Sequence, residues 1–272
     1  MSIDQLDLNR PPSPHRPPSG SSPTRWIVAG ATVVVIGAAI AFFWMSRAQV
    51  DNAPPAPTNA TDVAVKSGRP QRQQLDLPPL DDSDAMMRQL ISTLSKNPEM
   101  AKLLASKALV RGAVLAVEQI GDGRTPVNPL APLRPATRLA IAGGGDSGRI
   151  DPMSYARWSG ATTSLVEIDP GEAAQVYVTL KSLFDEAYRE LGHPNGDFDA
   201  SIVRAINTLN DTPKISGDPV LLRRSGYFEH SDPALRNILP VQKEMLLIGP
   251  DNRQKIMSWL KRFAAALDLK VD

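Results

Sequence analysis

The chain of 272 residues contains no cysteine, so it can form neither a disulfide framework nor a metal or redox site built on thiolates. Its formal net charge is only +1, because 30 basic residues offset 29 acidic ones. This near-neutral balance gives no reason to expect a nucleic-acid partner. Aromatic residues are also scarce, at 5% of the chain. The composition excludes classes of protein without selecting a function.

The sequence also lacks several motifs that identify enzymes. It has no G-x-S-x-G or K-T-G pattern for a serine nucleophile, and no H-E-x-x-H or H-x-x-E-H pattern for zinc. The glycine-rich run 143–148 lacks the Lys-Ser/Thr of a P-loop, and no helix start follows it as a dinucleotide site requires. We interpret this run as a flexible turn.

One long stretch, residues 26–45, carries no charge. A helix of about twenty apolar residues is long enough to cross a hydrocarbon core about 30 Å thick. Trp26 and Trp44 lie at its ends, where indole rings favour the membrane interface, and Arg25 and Arg47 lie just outside them. The sequence therefore predicts a transmembrane helix over residues 26–45, with the lipid bilayer as its partner. A buried core helix would not need so long a charge-free run.

The charges on either side of this stretch predict its orientation. Three arginines between residues 10 and 25 precede it with no acidic residue among them, whereas Lys66 is the next basic residue after Arg47. Because positive residues stay on the cytoplasmic side, we expect a cytoplasmic N-terminus and, in a bacterium, a periplasmic C-terminal region. The alternative is a signal peptide cleaved near residues 46–48, but secretory apolar regions span only about 7 to 15 residues. We favour an uncleaved, single-pass anchor in the inner membrane.

Proline-rich segments flank the predicted membrane helix. Residues 1–25 are dominated by Pro, Ser and Gly after Arg10, and residues 46–80 mix proline with small and polar residues. Neither segment has enough apolar side chains to offset the entropy of ordering. We predict a disordered cytoplasmic tail over residues 1–25 and a disordered linker over residues 46–80. As a coil, such a linker spans roughly 30 Å, which separates the rest of the chain from the membrane.

Residues 81–272 are predicted to form one mostly helical domain, long enough to bury a core without covalent staples. Apolar residues recur at helical spacing after a series of start signals. The clearest start combines Asp169 as N-cap with Pro170 at the first helical position, and Gly192 ends that helix. The predicted caps and first residues are Asp82 or Ser83, Asn97, Leu109, Asp151, Asp169, Asp199, Pro240 and Pro250.

Strand is expected to be a minor component. Residues 138–142 and 147–150 are predicted to pair as a short hairpin across the glycine-rich turn, and residues 220–228 form a further extended segment. The predicted fold class is therefore mainly α, with a short-strand component.

Several segments of this region are similar to those of one family. They are Leu80–Asp84, Asn97–Glu99, Pro132–Pro135, Ile150–Arg157, Glu186–Gly192, Asp197–Asp199, Ser231–Pro233 and Gly249–Pro250. In order and spacing they resemble the bacterial DUF3014 family from about residue 79 to the end of the chain. The resemblance implies a bacterial envelope protein with an N-terminal anchor and a Pro-rich linker. It implies no activity and no catalytic residues, because the family has none assigned.

Two groups of acidic residues are candidates for a divalent ion. Asp81, Asp82 and Asp84 form one group, and Asp197 with Asp199 forms the other. Neither has the glycine and glutamate positions of a calcium loop, and each lies at a predicted helix start. Because acidic side chains there accept hydrogen bonds from free amides, we interpret both groups as helix caps.

Histidine and glutamate provide the candidates for catalysis. His193 and His230 are the only histidines of the predicted domain, and a histidine paired with Glu190 or Asp197 could form a metal or general-base site. Glu186 and Glu190 lie one helical turn apart, and paired carboxylates can cleave glycosidic bonds. Basic residues on the same helix are ordinary ionic partners for them, so we favour a structural role.

Arginine and aromatic residues provide a candidate binding face. Those that lie close together in the sequence are Arg223, Arg224, Tyr227 and Phe228, and elsewhere Arg157 and Trp158. Stacking and forked hydrogen bonds from such residues bind glycans or anions. The alternative is a solvated strand face beside a core aromatic residue.

These observations lead to three functional hypotheses. The first is an inner-membrane protein that presents a periplasmic binding or scaffolding domain to an envelope protein or the peptidoglycan. The second is an envelope hydrolase with a carboxylate or histidine site. The third is a lipid-surface module built on a C-terminal helix, with Trp259 and Phe263 exposed beside Lys261, Arg262 and Lys270. We expect both aromatic residues to be buried, and we predict no catalytic, cofactor-binding or metal-ligating residue.

Overall fold

The computed structural model describes residues 69–70, 75–143, 146–215, 217–225 and 227–272. The predicted tail, the predicted membrane helix and most of the predicted linker lie outside these residues. Within the described part, no helix is both long and apolar enough to cross a bilayer. The described residues belong to one unit, which spans Val65–Asp272.

Ten α-helices dominate the described chain, which confirms the predicted mainly helical class. They are α1 (Asp84–Leu94), α2 (Pro98–Leu104), α3 (Leu109–Gly121), α4 (Pro152–Ala156), α5 (Ser159–Val166), α6 (Pro170–Glu190), α7 (Phe198–Asn210), α8 (Pro233–Arg236), α9 (Pro240–Leu247) and α10 (Pro250–Ala266). Single 3-10 turns cover Leu80–Asp82 and Ala131–Leu133. The sequence did not predict α5 or α8, and α5 has neither a capping side chain nor an apolar stripe.

Proline and acidic or amide side chains fix most of the helix starts. Six of the helices begin with proline, whose fixed φ suits the first turn and whose missing amide is not needed there. Asp169 accepts hydrogen bonds from the amides of Gly171 and Glu172, at 2.9 and 3.0 Å, as predicted. These local signals account for the agreement between the predicted and observed starts.

The start of α7 differs from the prediction. Its N-cap is Asp197, which accepts a hydrogen bond from the amide of Asp199 at 3.1 Å. Asp199 is a buried residue of the first turn and not the cap. The sequence Asp-Phe-Asp offers two caps, and the burial of Phe198 as the first helical residue selects Asp197.

The core is organised around α6, which contacts α1, α3, α7 and α10. Its buried aromatic residues pack against Phe198 at the start of α7: the rings of Phe184 and Phe198 are stacked with centroids 5.6 Å apart. Tyr188 and Tyr177 close the cluster, with centroids 5.6 and 6.3 Å from that of Phe198. Offset and tilted ring pairs of this kind stabilise a core beyond their buried area.

Four short strands form one antiparallel sheet in the order β1-β2-β3-β4. They are β1 (Ile141–Ala142), β2 (Ser147–Ile150), β3 (Val220–Arg224) and β4 (Tyr227–His230). The predicted β1–β2 hairpin is confirmed, while the predicted extended segment 220–228 is a second hairpin. The pairing of β2 with β3 joins distant parts of the sequence. Ile150 and Leu221 are buried, and they attach the sheet to the helices.

Candidate functional site

The β3–β4 hairpin presents aromatic side chains that the core does not cover. Tyr227 is 61% exposed and Phe228 is 39% exposed. The guanidinium carbon of Arg223 lies 5.5 Å from the ring centroid of Phe228, within cation–π range. Arg224 donates through Nε to Glu229 Oε2 at 2.9 Å. The hairpin therefore has one arginine held by a carboxylate and one held only against an aromatic ring.

The strand register divides these four residues between two faces. Arg223 pairs with Phe228, and Arg224 pairs with Tyr227. Because side chains alternate along a strand, Arg223 and Phe228 share the face of buried Leu221, whereas Arg224 and Tyr227 lie on the opposite face. The predicted arginine–aromatic surface is thus two smaller surfaces on one hairpin.

The second predicted arginine–aromatic pair lies elsewhere, at the end of α4. The guanidinium carbon of Arg157 is 5.6 Å from the ring centroid of Trp158. Burial lowers the pKa of Arg157, against the opposing effect of the Glu244 carboxylate. This pair is half-buried and does not extend the hairpin surface.

A shallow groove lies beside Arg223 and Phe228. Its other lining residues are Ile141, Gly143, Ser147, Gly148 and Leu221. A Cβ atom at Gly148 would lie 2.4 Å from Ile141 Cγ2 and 2.7 Å from the carbonyl oxygen of Ala142, so only glycine fits there. Gly148 therefore serves the close approach of β1 and β2, next to a groove that Arg223 and Phe228 line.

A buried carboxylate, Glu118, links α3 to α7. Its Oε2 accepts hydrogen bonds from Arg204 Nη2 at 2.7 Å and from the hydroxyl of Ser201, and its Oε1 lies 3.1 Å from His193 Nε2. His193 in turn stacks on Tyr188, with ring centroids 4.2 Å apart. Since Ser201 is 0% exposed, its hydroxyl cannot reach a substrate, and the network holds helices together.

The structure places the two candidate histidines in different surroundings. His193 pairs with Glu118, and no hydrogen bond or ion pair within the described part links it to Glu190 or Asp197. His230 lies on β4 opposite Leu221 and is buried. Burial, with a smaller effect from Lys243, lowers the pKa of His230, which favours a neutral ring. The sequence did not indicate Glu118 as a partner of His193, because Glu118 lies on α3, far from His193 in the sequence.

A second polar cluster lies where α6 meets the start of α7. Its members are Arg69, Tyr177, Lys181, Asp185, Asp197 and Asp199. Lys181 Nζ donates to Asp185 at 2.5 Å and to Asp197 at 2.7 Å. Asp199 accepts from the hydroxyl of Tyr177 and from Arg69 Nη1, both at 2.5 Å. Arg69 belongs to the predicted linker, so this cluster fastens a residue from before the predicted domain to α7.

The charges of this cluster perturb the pKa values of its members. Burial raises the pKa of Tyr177, and its hydrogen bond to Asp199 raises it further. Burial alone would raise the pKa of Asp197, but the hydrogen bond from Lys181 lowers it overall. Each of these ionic groups has a partner in the cluster. Among the described residues, no three acidic or histidine side chains are arranged to hold a metal ion.

One acidic residue at the start of α1, Asp84, caps a different helix from the one predicted. Asp84 accepts hydrogen bonds from the amides of Ala108 and Leu109, at 2.9 and 2.7 Å, and so caps α3. Asp81 lies 2.8 Å from Arg111 on the surface. Asp84 therefore caps a helix, as predicted, but that helix is α3 and not α1, to which Asp84 belongs.

Replacing Asp84 with alanine is expected to lower the free energy of unfolding by about 1 to 2 kcal/mol, because α3 loses an N-terminal cap. Chemical denaturation followed by circular dichroism measures this change. Asp81→Ala is the matched control: its carboxylate is exposed, so its loss should cost less than about 0.5 kcal/mol. Equal losses for the two variants would show that the cap contributes nothing beyond surface charge.

The two glutamates on α6 have different partners. Arg111 binds Glu190 through both carboxylate oxygens, at 2.5 and 2.9 Å, while Glu186 is exposed. The hydrogen bonds from Arg111 lower the pKa of Glu190. A carboxylate held ionised in this way suits an ion pair between α3 and α6 more than an acid catalyst.

The C-terminal helix α10 turns its aromatic residues towards the protein. Trp259 is buried, as predicted, and donates through Nε1 to the carbonyl oxygen of Ile168 at 2.7 Å. Phe263 is half-buried and stacks on Trp259 with ring centroids 5.3 Å apart. The lipid-surface hypothesis required both rings to be exposed.

Ser258 and Lys261, also on α10, have the S-x-x-K spacing of some serine nucleophiles. Lys261 donates to the carbonyl oxygen of Asp272.

Comparison with known proteins identifies one family. The family model described as protein of unknown function (DUF3014) matches residues 109–264, more than half of the chain. This range runs from α3 into α10 and includes the sheet, the hairpin, the Glu118 network and every member of the second polar cluster except Arg69. No curated protein and no solved structure matches the chain.

Proposed function

Since the chain belongs to the DUF3014 family, for which the matching description gives no activity, we propose a function from the surface of this protein: it binds another component of the cell envelope. The observation that carries the proposal is the β3–β4 hairpin. Phe228 is exposed there beside Arg223, and Tyr227 is exposed on the opposite face of the hairpin, in a chain with few aromatic residues. Aromatic and arginine side chains contribute most to binding energy at protein surfaces.

The polar groups of the helical part support binding over catalysis. Glu118, Lys181 and Glu190 each have charged partners within the described structure. Ser201, the hydroxyl closest to the His193 network, is buried. Paired and buried groups of this kind hold helices in register, whereas a catalytic site gathers them around a cavity open to substrate. The envelope-hydrolase hypothesis therefore has less support.

We place this binding surface on the periplasmic side of the inner membrane. The support is the uncharged stretch 26–45, the arginines that precede it and the Pro-rich segment 46–80. In this arrangement the anchor restricts the hairpin to a layer next to the membrane. The partner is an envelope protein or the peptidoglycan.

Photo-crosslinking in intact bacteria tests the proposal. A benzophenone amino acid replaces Tyr227 in the full-length chain, and the same substitution at Leu191, which is 43% exposed on another surface, is the control. We expect the variant with the probe at position 227 to form a specific adduct with an envelope protein, or to be crosslinked to purified sacculi and retained on them. The variant with the probe at position 191 should do neither. Neither adduct nor retention, or the same products from both positions, would contradict the proposal.

A further inference from the structure

The outer edge of β4 has unpaired backbone groups. The amide of Ser231 donates to the carbonyl oxygen of Val220 at 2.9 Å, which makes this a hydrogen-bonded pair of the β3–β4 ladder. Such pairs alternate in an antiparallel ladder, so the backbone groups of Glu229 and Tyr227 also face β3. Those of Phe228 and His230 therefore face away from β3. No described residue bonds to them.

The other edge of β3 is already occupied. Arg223 donates its amide to the carbonyl oxygen of Asp146 at 2.8 Å, and β2 pairs with β3 along the rest of its length. The opposite margin of the sheet, β1, spans only Ile141–Ala142. The β4 edge is thus the unpaired side of the sheet, and it is accessible at Phe228, which is 39% exposed, whereas His230 is buried. An unpaired edge of this kind accepts an added strand.

Charge at this edge is positive. Arg224 is neutralised by Glu229, but within the described residues no carboxylate forms an ion pair with Arg223. Its guanidinium lies over the ring of Phe228, which is on β4, so the charge is displaced towards the open edge. A side chain on an added strand opposite Phe228 would have its Cβ about 5 Å from that of Phe228. An acidic side chain there reaches the guanidinium of Arg223.

We infer that the β4 edge binds an extended, acidic peptide segment of another envelope protein as an added strand. The inference rests on the proposed binding function and narrows its partner to a polypeptide. An extended peptide presents an acceptor and a donor side by side to the free amide and carbonyl of Phe228, whereas a glycan has no such fixed pair. A second copy of this chain would bring Arg223 against Arg223, which opposes association.

Fluorescence anisotropy of the full-length protein in lipid nanodiscs tests the inference. The probe is a fluorescein-labelled peptide of about eight residues in which valine and glutamate alternate, a pattern typical of strands. We expect it to bind at least about tenfold tighter than the same peptide with lysine in place of glutamate. Methylation of alternate amide nitrogens on the edge-facing side should abolish binding, because it removes the backbone donors.

Two variants separate the hairpin from general surface charge. Arg223→Ala should weaken binding of the valine–glutamate peptide about tenfold, because it removes the only unpaired cation at the groove. Arg262→Ala removes an exposed arginine from α10 and should leave the affinity unchanged. Equal affinity for the glutamate and lysine peptides, or equal losses for the two variants, would overturn the inference.

Two further results separate this inference from the proposed function. Retention on sacculi that depends on Arg223, without binding of the peptide, would overturn the inference and leave the binding function in place. Dimers that form through the hairpin would also overturn it, in favour of a second copy as the occupant. If neither sacculi, peptide nor an envelope protein binds, both the inference and the proposed function are wrong.

Discussion

Replacing Phe198 with alanine is expected to lower the free energy of unfolding by about 3 to 5 kcal/mol. This loss is larger than those expected for Asp84 and Glu118. Phe198 is only 1% exposed, and it stacks on Phe184 with ring centroids 5.6 Å apart. Its ring also lies 5.6 Å from that of Tyr188. Because these aromatic side chains belong to the long helix α6 and to α7, they cannot collapse into the space left by the missing ring without moving a helix.

Denaturation of the full-length chain by urea, followed by near-ultraviolet circular dichroism, measures this loss. Phe228→Ala is the matched control, because it makes the same substitution on an exposed hairpin residue. We expect it to change the free energy of unfolding by less than about 1 kcal/mol. Comparable losses at the two positions would contradict the assignment of Phe198 to the core and of Phe228 to the surface.

Replacing Glu118 with alanine is expected to lower the free energy of unfolding by about 2 to 3 kcal/mol. Removing one partner of a fully buried ion pair costs about 3 to 5 kcal/mol. The loss should be smaller here because the side chains of Arg204 and His193 are 43% and 37% exposed, so water can solvate them once the carboxylate is gone. The buried hydroxyl of Ser201 would lose its carboxylate acceptor and keep a 3.4 Å contact to Tyr188 Oη and a 3.1 Å hydrogen bond from Arg204 Nη2.

Glu190→Ala provides the comparison, since Glu190 also binds an arginine but does so on the surface. Its loss should cost much less than the loss of Glu118, and this cost should shrink further in high salt, which screens exposed charges. The cost of Glu118→Ala should change little with salt. The same salt dependence for both variants would show that Glu118 is not protected from solvent.

Local signals in the sequence predicted local structure. The pairs Asn97-Pro98 and Asp169-Pro170 begin helices as expected, because a capping side chain and a preset φ act within one turn. The β1–β2 hairpin also lies where the sequence predicted it, since its two strands are neighbours in the chain. By contrast, α5 carries no such signal: it lacks a capping side chain, and its sequence is mostly Ser, Thr, Gly and Ala.

Contacts between distant parts of the chain could not be predicted. Asp84 was expected at a cap, but nothing near it in sequence shows that the capped helix is α3. Likewise, His193 was assigned partners from its own neighbourhood, whereas Glu118 lies on α3. The hairpin residues were identified from their types. Their division between two faces depends on the register of β3 against β4, which residue types alone do not give.

The ion pair between Arg69 and Asp199 determines where a mechanical load enters the protein. Arg69 Nη1 holds a carboxylate in the first turn of α7, next to the aromatic core. A pull on the chain from its N-terminal side would therefore reach α7 before it reaches α1, although α1 comes first in sequence.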